Sequence, residues 1–119
     1  MEWKVLFDDE FHVWFEALQQ GLRDEILARV GLLRRLGPNL GRPNVDGVKG
    51  SAFSNMKELR VQYKGKPWRI LFAFDPKRNA ILLVGGNKTG KKDWYKSHIP
   101  IADERFSRHL ERLEQMEKG

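Results

Sequence analysis

Two arginines on neighbouring predicted strands, Arg60 and Arg69, suit the binding of a phosphate. Apolar and polar residues alternate around both, which is typical of strands with one buried face. Because both strands turn their apolar residues toward one core, the arginines are expected together on the opposite, open face of a hairpin. A phosphate would offset their repulsion through paired hydrogen bonds. An ordinary surface pairing of Arg60 with Glu58 or Gln62 is the alternative.

A glycine-rich, basic segment, residues 85–92, follows the next predicted strand. It lacks the four-residue gap between glycines that defines a P-loop, so we interpret it as flexible backbone that presents lysines. These lysines are Lys88, Lys91 and Lys92. Tyr95, just beyond the segment, suits an acid, a base or a platform for a nucleobase. Packing of Tyr95 beside Trp94 is an equally good interpretation.

Positive charge is concentrated in one part of the chain. The 119 residues include 22 Lys and Arg against 16 Asp and Glu, a net charge of +6. Residues 57–96 alone carry a net charge of +8, and the remainder carries −2. A clustered basic region is typical of proteins that bind a polyanion. A soluble protein with a lysine-rich surface is the alternative interpretation.

Several classes of chemistry are disfavoured by what the sequence lacks. The chain has no cysteine, which excludes disulfides, thiolate zinc sites and cysteine nucleophiles. Its three histidines, His12, His98 and His109, show no metal-ligand spacing, and no serine-nucleophile motif is present. We therefore expect no metal site and no cofactor. No apolar run approaches the ~20 residues of a membrane span, and the first residues are unlike a signal peptide, so a cytoplasmic protein without membrane contact is expected.

The predicted elements follow the order β-α-α-β-β-β-α within a single domain, residues 1–119. An N-terminal helical hairpin is predicted, with its first helix after Asp8 and its second over about residues 22–36. Residues 40–55 show no period and are predicted to form a long loop. A C-terminal helix is predicted after Pro100. The expected fold class is α+β, with an antiparallel sheet of about four strands and the helices on one side.

Five short segments, taken together, resemble a known family. They are residues 56–60 (MKELR), 68–74 (WRILFAF), 82–88 (LLVGGNK), 94–95 (WY) and 101–103 (IAD). In order and spacing they resemble the RelE/ParE toxin superfamily, and within it the HigB-like, phage-derived toxins. The resemblance implies a RelE-like fold and the toxin of a type II toxin–antitoxin pair. It further implies a metal-independent endoribonuclease that cleaves mRNA on the ribosome and so blocks translation.

The resemblance also implies roles for individual residues. In such toxins the RNA 2′-hydroxyl attacks the adjacent phosphate and leaves a 2′,3′-cyclic phosphate. Arg69 matches the arginine at the scissile phosphate, Arg60 a basic position on the preceding strand, and Lys88 a basic position after the last strand. Tyr95 matches the aromatic residue that orients the nucleophile or stacks a base. The general base stays open between Lys57, Glu58 and Tyr95. Further RNA contacts are expected at Lys64, Lys66, Lys91, Lys92 and Trp94.

The implied partners are a HigA-like helix-turn-helix antitoxin, mRNA and the ribosome. Two other functions stay open at this point. One is a ParE-like toxin that acts on DNA gyrase without cleaving anything, and the other is a nucleic-acid-binding module without enzymatic activity. The positive segment predicts that RNA binding weakens steeply as salt is raised, because each phosphate contact releases counterions.

Overall fold

The N-terminal part of the chain folds into a short strand and two helices. A computed structural model describes residues 2–118. Strand β1 (Lys4–Phe7) leads into helix α1 (Asp9–Glu16), whose N-terminus is capped by Asp8. The Asp8 carboxylate accepts hydrogen bonds from the backbone N–H groups of Glu10 and Phe11, so two otherwise unpaired donors are satisfied. Helix α2 (Gln20–Leu36) ends at a short 3-10 turn (Gly37–Asn39).

The remaining elements form most of a five-stranded sheet and one long helix. Strand β2 (Val45–Gly47) precedes β3 (Lys57–Tyr63), β4 (Lys66–Phe74) and β5 (Asn79–Asn87). Helix α3 (Trp94–Lys118) completes the chain. It begins six residues before Pro100 rather than after it, so the predicted start of the C-terminal helix was wrong. Trp94 and Ile99 are buried, and their packing holds these first turns in place.

The sheet has the order β1-β5-β4-β3-β2, and it is mixed rather than antiparallel. Strand β1 pairs with β5 in parallel, whereas the other neighbours pair antiparallel. The fifth strand is β2, which lies inside the predicted loop 40–55. The α+β class is confirmed, but the strand count and the uniform direction were wrong. A three-residue strand is too short to show a period, and the direction of β1 depends on a partner some 75 residues away.

Helices cover both faces of the sheet, not one. Helices α1 and α2 pack on one face over a core that includes Leu59 and Ile70. Helix α3 packs on the other face over a second core that includes Leu71 and Leu83. Strand β5 lies between two strands and between both cores, as its continuous apolar run predicted. No helix among residues 2–118 is both long and apolar enough to cross a membrane.

Two glycines at the end of β5 let the two layers of helices approach the sheet. A Cβ on Gly85 would come within 2.6 Å of the Trp14 ring of α1. A Cβ on Gly86 would come within 2.8 Å of Nε1 of Trp94 in α3. The glycine pair that resembles part of a phosphate-binding loop therefore serves close packing from both sides.

Candidate functional site

Arg60 and Arg69 lie directly opposite each other in the β3–β4 ladder. The two-residue turn that joins these strands sets this register, since Lys64 and Gly65 both have positive φ values, 50° and 73°. The predicted placement of both arginines on one face is confirmed. The prediction that this face is open was wrong, because helix α3 partly covers it and the Arg69 side chain is only 13% exposed.

A nearly buried carboxylate, Glu58, lies between the two arginines. Its side chain is 4% exposed, and its Oε2 accepts a hydrogen bond of 2.8 Å from Arg60 Nε. The same oxygen is 3.8 Å from Arg69 Nε. The hydrogen bond to Glu58 raises the pKa of Arg60. The repulsion between the arginines is therefore offset within the protein, by the Glu58 pairing that the sequence left open as an alternative.

Tyr95, the second residue of α3, completes this group. Its hydroxyl donates a hydrogen bond of 2.5 Å to Glu58 Oε1. The pKa of Tyr95 is raised to about 12, chiefly by burial and secondly by the hydrogen bond to Glu58. Tyr95 is thus a neutral hydrogen-bond donor around pH 7, and it is unsuited to act as a base there. We call Glu58, Arg60, Arg69 and Tyr95 the central cluster.

The basic segment after β5 extends the central cluster on one side. Lys88 Nζ lies 5.3 Å from the centre of the Tyr95 ring, over its face. Tyr95 and Lys88 share a cleft of about 350 Å³ with Lys91 and Lys92. The fold thus brings three of the predicted basic residues to Tyr95.

Other predicted site residues lie elsewhere. Alternation along β3 places Lys57 on the same face as Leu59, opposite to Glu58. Lys64 and Lys66 line a separate cleft of about 440 Å³ between the hairpin end and the connection from α1 to α2. Trp94 is 1% exposed and stacks on His98 with a centroid distance of 4.2 Å, so its ring is part of the core.

Two residues near the central cluster were not predicted from the sequence. Asp46 in β2 accepts a hydrogen bond of 3.1 Å from Arg60 Nη2 and also pairs with Arg42. Hydrogen bonds from Arg42 and from the backbone N–H of Gly47 lower the pKa of Asp46. Lys49 lines a cleft of about 320 Å³ together with Glu58, Arg60 and Tyr95. Only the two valines of residues 45–48 signal a strand there, and such a signal is too short to predict one.

The central cluster offers the groups that phosphodiester cleavage without a protein nucleophile requires. Two guanidiniums can neutralise charge on a phosphate, a carboxylate can accept a proton, and a neutral phenol can donate one. No group of three or more His, Asp or Glu side chains in the described part of the chain is arranged to hold a metal ion.

Three comparisons identify related proteins. Residues 13–107 match the family described as phage derived protein Gp49-like. The chain is 54% identical over 98 residues to the candidate toxin HigB3 of Mycobacterium tuberculosis. This match covers 82% of this chain and 84% of HigB3. It is 44% identical over 108 residues to the candidate toxin HigB2 of the same organism. That match covers 89% of this chain but only about half, 54%, of HigB2.

The fold also matches a solved structure, a mutant of the E. coli toxin RelE in the free state. The TM-score is 0.60, and the match covers 88% of this chain and 98% of that one. With a sequence identity of 11%, this likeness shows the fold alone. The match to the family profile and the identity to HigB3 establish the relationship at the level of sequence. The chain therefore belongs to the Gp49-like family of phage-derived proteins, is HigB-like in sequence and has a RelE-like fold.

Proposed function

We propose that this protein is the toxin of a type II toxin–antitoxin pair and that it blocks translation by cleaving mRNA at the central cluster. The observation that carries the proposal is the position of Glu58, a nearly buried carboxylate held by Arg60 and by the neutral phenol of Tyr95. Membership in a family with HigB relatives supports the toxin function. The basic cleft beside Tyr95 supports an RNA substrate.

Binding of the scissile phosphate falls to the two arginines. Arg69 Nη1 donates to the backbone oxygen of Trp68 at 3.1 Å, which orients the guanidinium. Its Nε is buried and has no hydrogen-bond partner in the described part of the chain, so contact with a phosphate falls to the Nη atoms of the guanidinium. Arg60 is already paired with Glu58 and Asp46 and supplies charge from a fixed position. Both guanidiniums stabilise the extra negative charge that develops on the phosphate during attack.

The proposed reaction needs one proton acceptor and one proton donor. Glu58 accepts the proton of the RNA 2′-hydroxyl as O2′ forms a bond to phosphorus. The bond from phosphorus to O5′ then breaks, and the leaving oxygen takes a proton from Tyr95. The proton on Glu58 returns to Tyr95 across their shared hydrogen bond. The products are a 2′,3′-cyclic phosphate and a 5′-hydroxyl, and the enzyme regains its starting protonation.

This proposal assigns different roles to the other predicted residues. Of the three residues left open as the general base, Glu58 suits the task, since Tyr95 is protonated and Lys57 faces away. Lys88, Lys91 and Lys92 contact the RNA backbone beside Tyr95. Lys64 and Lys66 contact RNA farther along the hairpin. Trp94 keeps a packing role.

We further propose that the antitoxin is a HigA-like helix-turn-helix protein and that cleavage takes place on the ribosome. Support for the antitoxin comes from the HigB relatives, and support for a large RNA partner comes from the basic segment.

The decisive experiment incubates purified protein with mRNA, in EDTA without ribosomes and in magnesium buffer with ribosomes, and maps the new RNA ends. We expect new 5′-hydroxyl ends and 2′,3′-cyclic phosphate ends, and we expect both to form about 10²–10³-fold more slowly with Arg69→Ala. Growth arrest on induction without any cleaved message would overturn the nuclease proposal. It would then favour a ParE-like toxin that acts on DNA gyrase.

A further inference from the structure

Tyr95 lies between two clefts with lysines on their walls. One is the cleft formed by the basic segment after β5. The other, which we call the loop cleft, lies on the opposite side, between segment 48–55 and the first turns of α3. It has a volume of about 420 Å³, and Lys49, Lys96 and Asp103 are among its lining residues. An RNA strand that crosses the central cluster needs such cationic surfaces on both sides of the scissile phosphate.

Lys49 connects the loop cleft to the central cluster. It lines the loop cleft and also the neighbouring cleft that contains Glu58 and Arg60. Lys49 and Lys96 are both exposed, and neither takes part in an ion pair among residues 2–118. By contrast, Arg60 is paired with two carboxylates. Lys49 is therefore a cation at the edge of the central cluster whose charge the described residues do not neutralise by an ion pair.

Asp103 of α3 holds the segment that carries Lys49. Its Oδ1 accepts a hydrogen bond of 2.5 Å from Ser51 Oγ, and its Oδ2 accepts one of 2.8 Å from the backbone N–H of Ala52. The ring of Phe53 packs edge-on against Phe106 of α3, with a centroid distance of 4.9 Å. These contacts fix the segment on α3 just after Lys49.

The other end of the segment is fixed on the sheet. The backbone N–H of Val48 donates to the backbone oxygen of Met56 at 3.3 Å. Between the two anchors the chain turns at Gly50, which has a φ of 93°. Lys49 is thus held within a short, doubly anchored stretch of backbone, so its place beside Tyr95 is set by the fold.

We propose that the loop cleft binds a backbone phosphodiester of the RNA next to the scissile one, that Lys49 contacts this phosphate, and that Asp103 is a positioning residue for Lys49. This inference rests on the proposed function and adds a second phosphate subsite to it. With this subsite, the RNA path runs from Lys88, Lys91 and Lys92 across Tyr95 to Lys49.

The test measures binding of a short single-stranded RNA in which every 2′-hydroxyl is methylated, so that no 2′-hydroxyl is available to attack. The dissociation constant is measured as a function of salt for the wild type and for Lys49→Gln. Loss of one phosphate contact is expected to weaken binding about three- to tenfold and to lower the salt slope by about 0.7. Lys4→Gln, on the far edge strand β1, is the matched control and should leave the slope unchanged.

The positioning role is tested with Asp103→Ala and with the double variant Lys49→Gln/Asp103→Ala. If Asp103 acts through Lys49, the single variant Asp103→Ala lowers the salt slope as Lys49→Gln does, and the double variant binds no more weakly than Lys49→Gln. Ser51→Ala, which removes only one of the two contacts, should give a smaller loss in the same direction. Melting temperatures identify any variant that fails to fold.

Several results would overturn the inference. They are an unchanged salt slope in Lys49→Gln, no RNA binding by the wild type, or losses in Lys49→Gln and Asp103→Ala that simply add. Cleavage of unmodified mRNA is measured in parallel on the same proteins. A wild type that binds the methylated RNA through Lys49 but cleaves no mRNA, either with or without ribosomes, would leave the subsite intact and overturn the proposed nuclease function.

Discussion

The hydroxyl of Tyr95 donates a hydrogen bond of 2.5 Å to Oε1 of Glu58, which lies 37 positions earlier in the chain. This bond joins the start of α3 to the middle of β3 and places a neutral acid against a carboxylate. A pair of groups with separate proton tasks is typical of acid–base catalysis.

Replacing Arg69 with alanine is expected to abolish growth arrest and to lower RNA cleavage by about 10²–10³-fold. The physical reason is the loss of a guanidinium aimed at the phosphate in the transition state. The measurement is the rate of appearance of new 5′ ends on mRNA, with the melting temperature as a check on the fold. Arg35→Ala, on the exposed end of α2, is the control and should remain toxic. Full toxicity of Arg69→Ala would show that the site is wrongly assigned.

Replacing Glu58 with glutamine is expected to lower the cleavage rate by about 10²–10⁴-fold, since glutamine cannot accept the proton of the 2′-hydroxyl. Glutamine keeps the shape of the side chain and one acceptor oxygen. Asp46→Asn is the matched control, because Asp46 also pairs with Arg60 but does not contact Tyr95. We expect its cleavage rate to stay within about threefold of the wild type. Equal losses in the two variants would mean that Glu58 acts only as a counter-ion to Arg60.

Tyr95 is expected to stabilise the fold up to pH 10 and to lose this effect at higher pH. Its pKa is raised from 10.0 to about 12 in the folded protein, so the folded state favours the neutral phenol. The stabilisation is full below pH 10 and disappears as the pH rises toward 12. Tyr95→Phe should cost about 1 kcal/mol of unfolding free energy at pH 7.

The measurement for Tyr95 is denaturant unfolding of the wild type and Tyr95→Phe between pH 7 and pH 12. The difference between the two proteins should shrink over the upper two pH units. The tyrosinate absorbance that the wild type shows and Tyr95→Phe lacks comes from Tyr95. It should appear with a midpoint near pH 12 when the folded wild type is titrated with base. A midpoint near pH 10 would contradict the buried hydrogen bond to Glu58.

Asp75 is expected to stabilise the end of β4 and the docking of α3. Its buried carboxylate accepts hydrogen bonds from the backbone N–H groups of Lys77 and Asn79 and from the Asn79 side chain, and it contacts His109 Nε2 at 2.7 Å. Asp75→Asn should therefore lower the unfolding free energy by about 1–3 kcal/mol at pH 7.

The effect of Asp75 should fade in acid. Burial disfavours the charged carboxylate, but the hydrogen bonds from His109, Asn79 and the backbone outweigh burial and lower the pKa of Asp75 below 3.8. The stabilisation is therefore present above pH 3.8 and is lost as the pH falls through the lowered pKa. Unfolding curves of the wild type and Asp75→Asn should converge below pH 3.8. A difference between the two proteins that stays constant down to pH 2 would contradict this explanation.

The sequence by itself determined the local parts of the site. Alternating apolar residues are enough to place Arg60 and Arg69 on one face of a hairpin, because this signal comes from neighbours along the chain. The two-residue turn that puts them directly opposite each other is seen only in the structure. Local signals likewise mark the helix ends: Asp8 caps the start of α1, and Gly37 caps the end of α2. The concentration of positive charge between residues 57 and 96 can also be counted from the sequence alone.

Only the tertiary structure decided which groups meet at the central cluster. Tyr95 reaches Glu58 because α3 packs on the face of the sheet opposite to α1 and α2, and no local pattern states which face a helix covers. Asp46 lies in β2, a strand of three residues that is too short to show a period, and Lys49 lies in the segment that follows it. Periodicity in the sequence indicates whether a side chain is buried. Which helix or strand buries it depends on contacts between residues far apart in sequence.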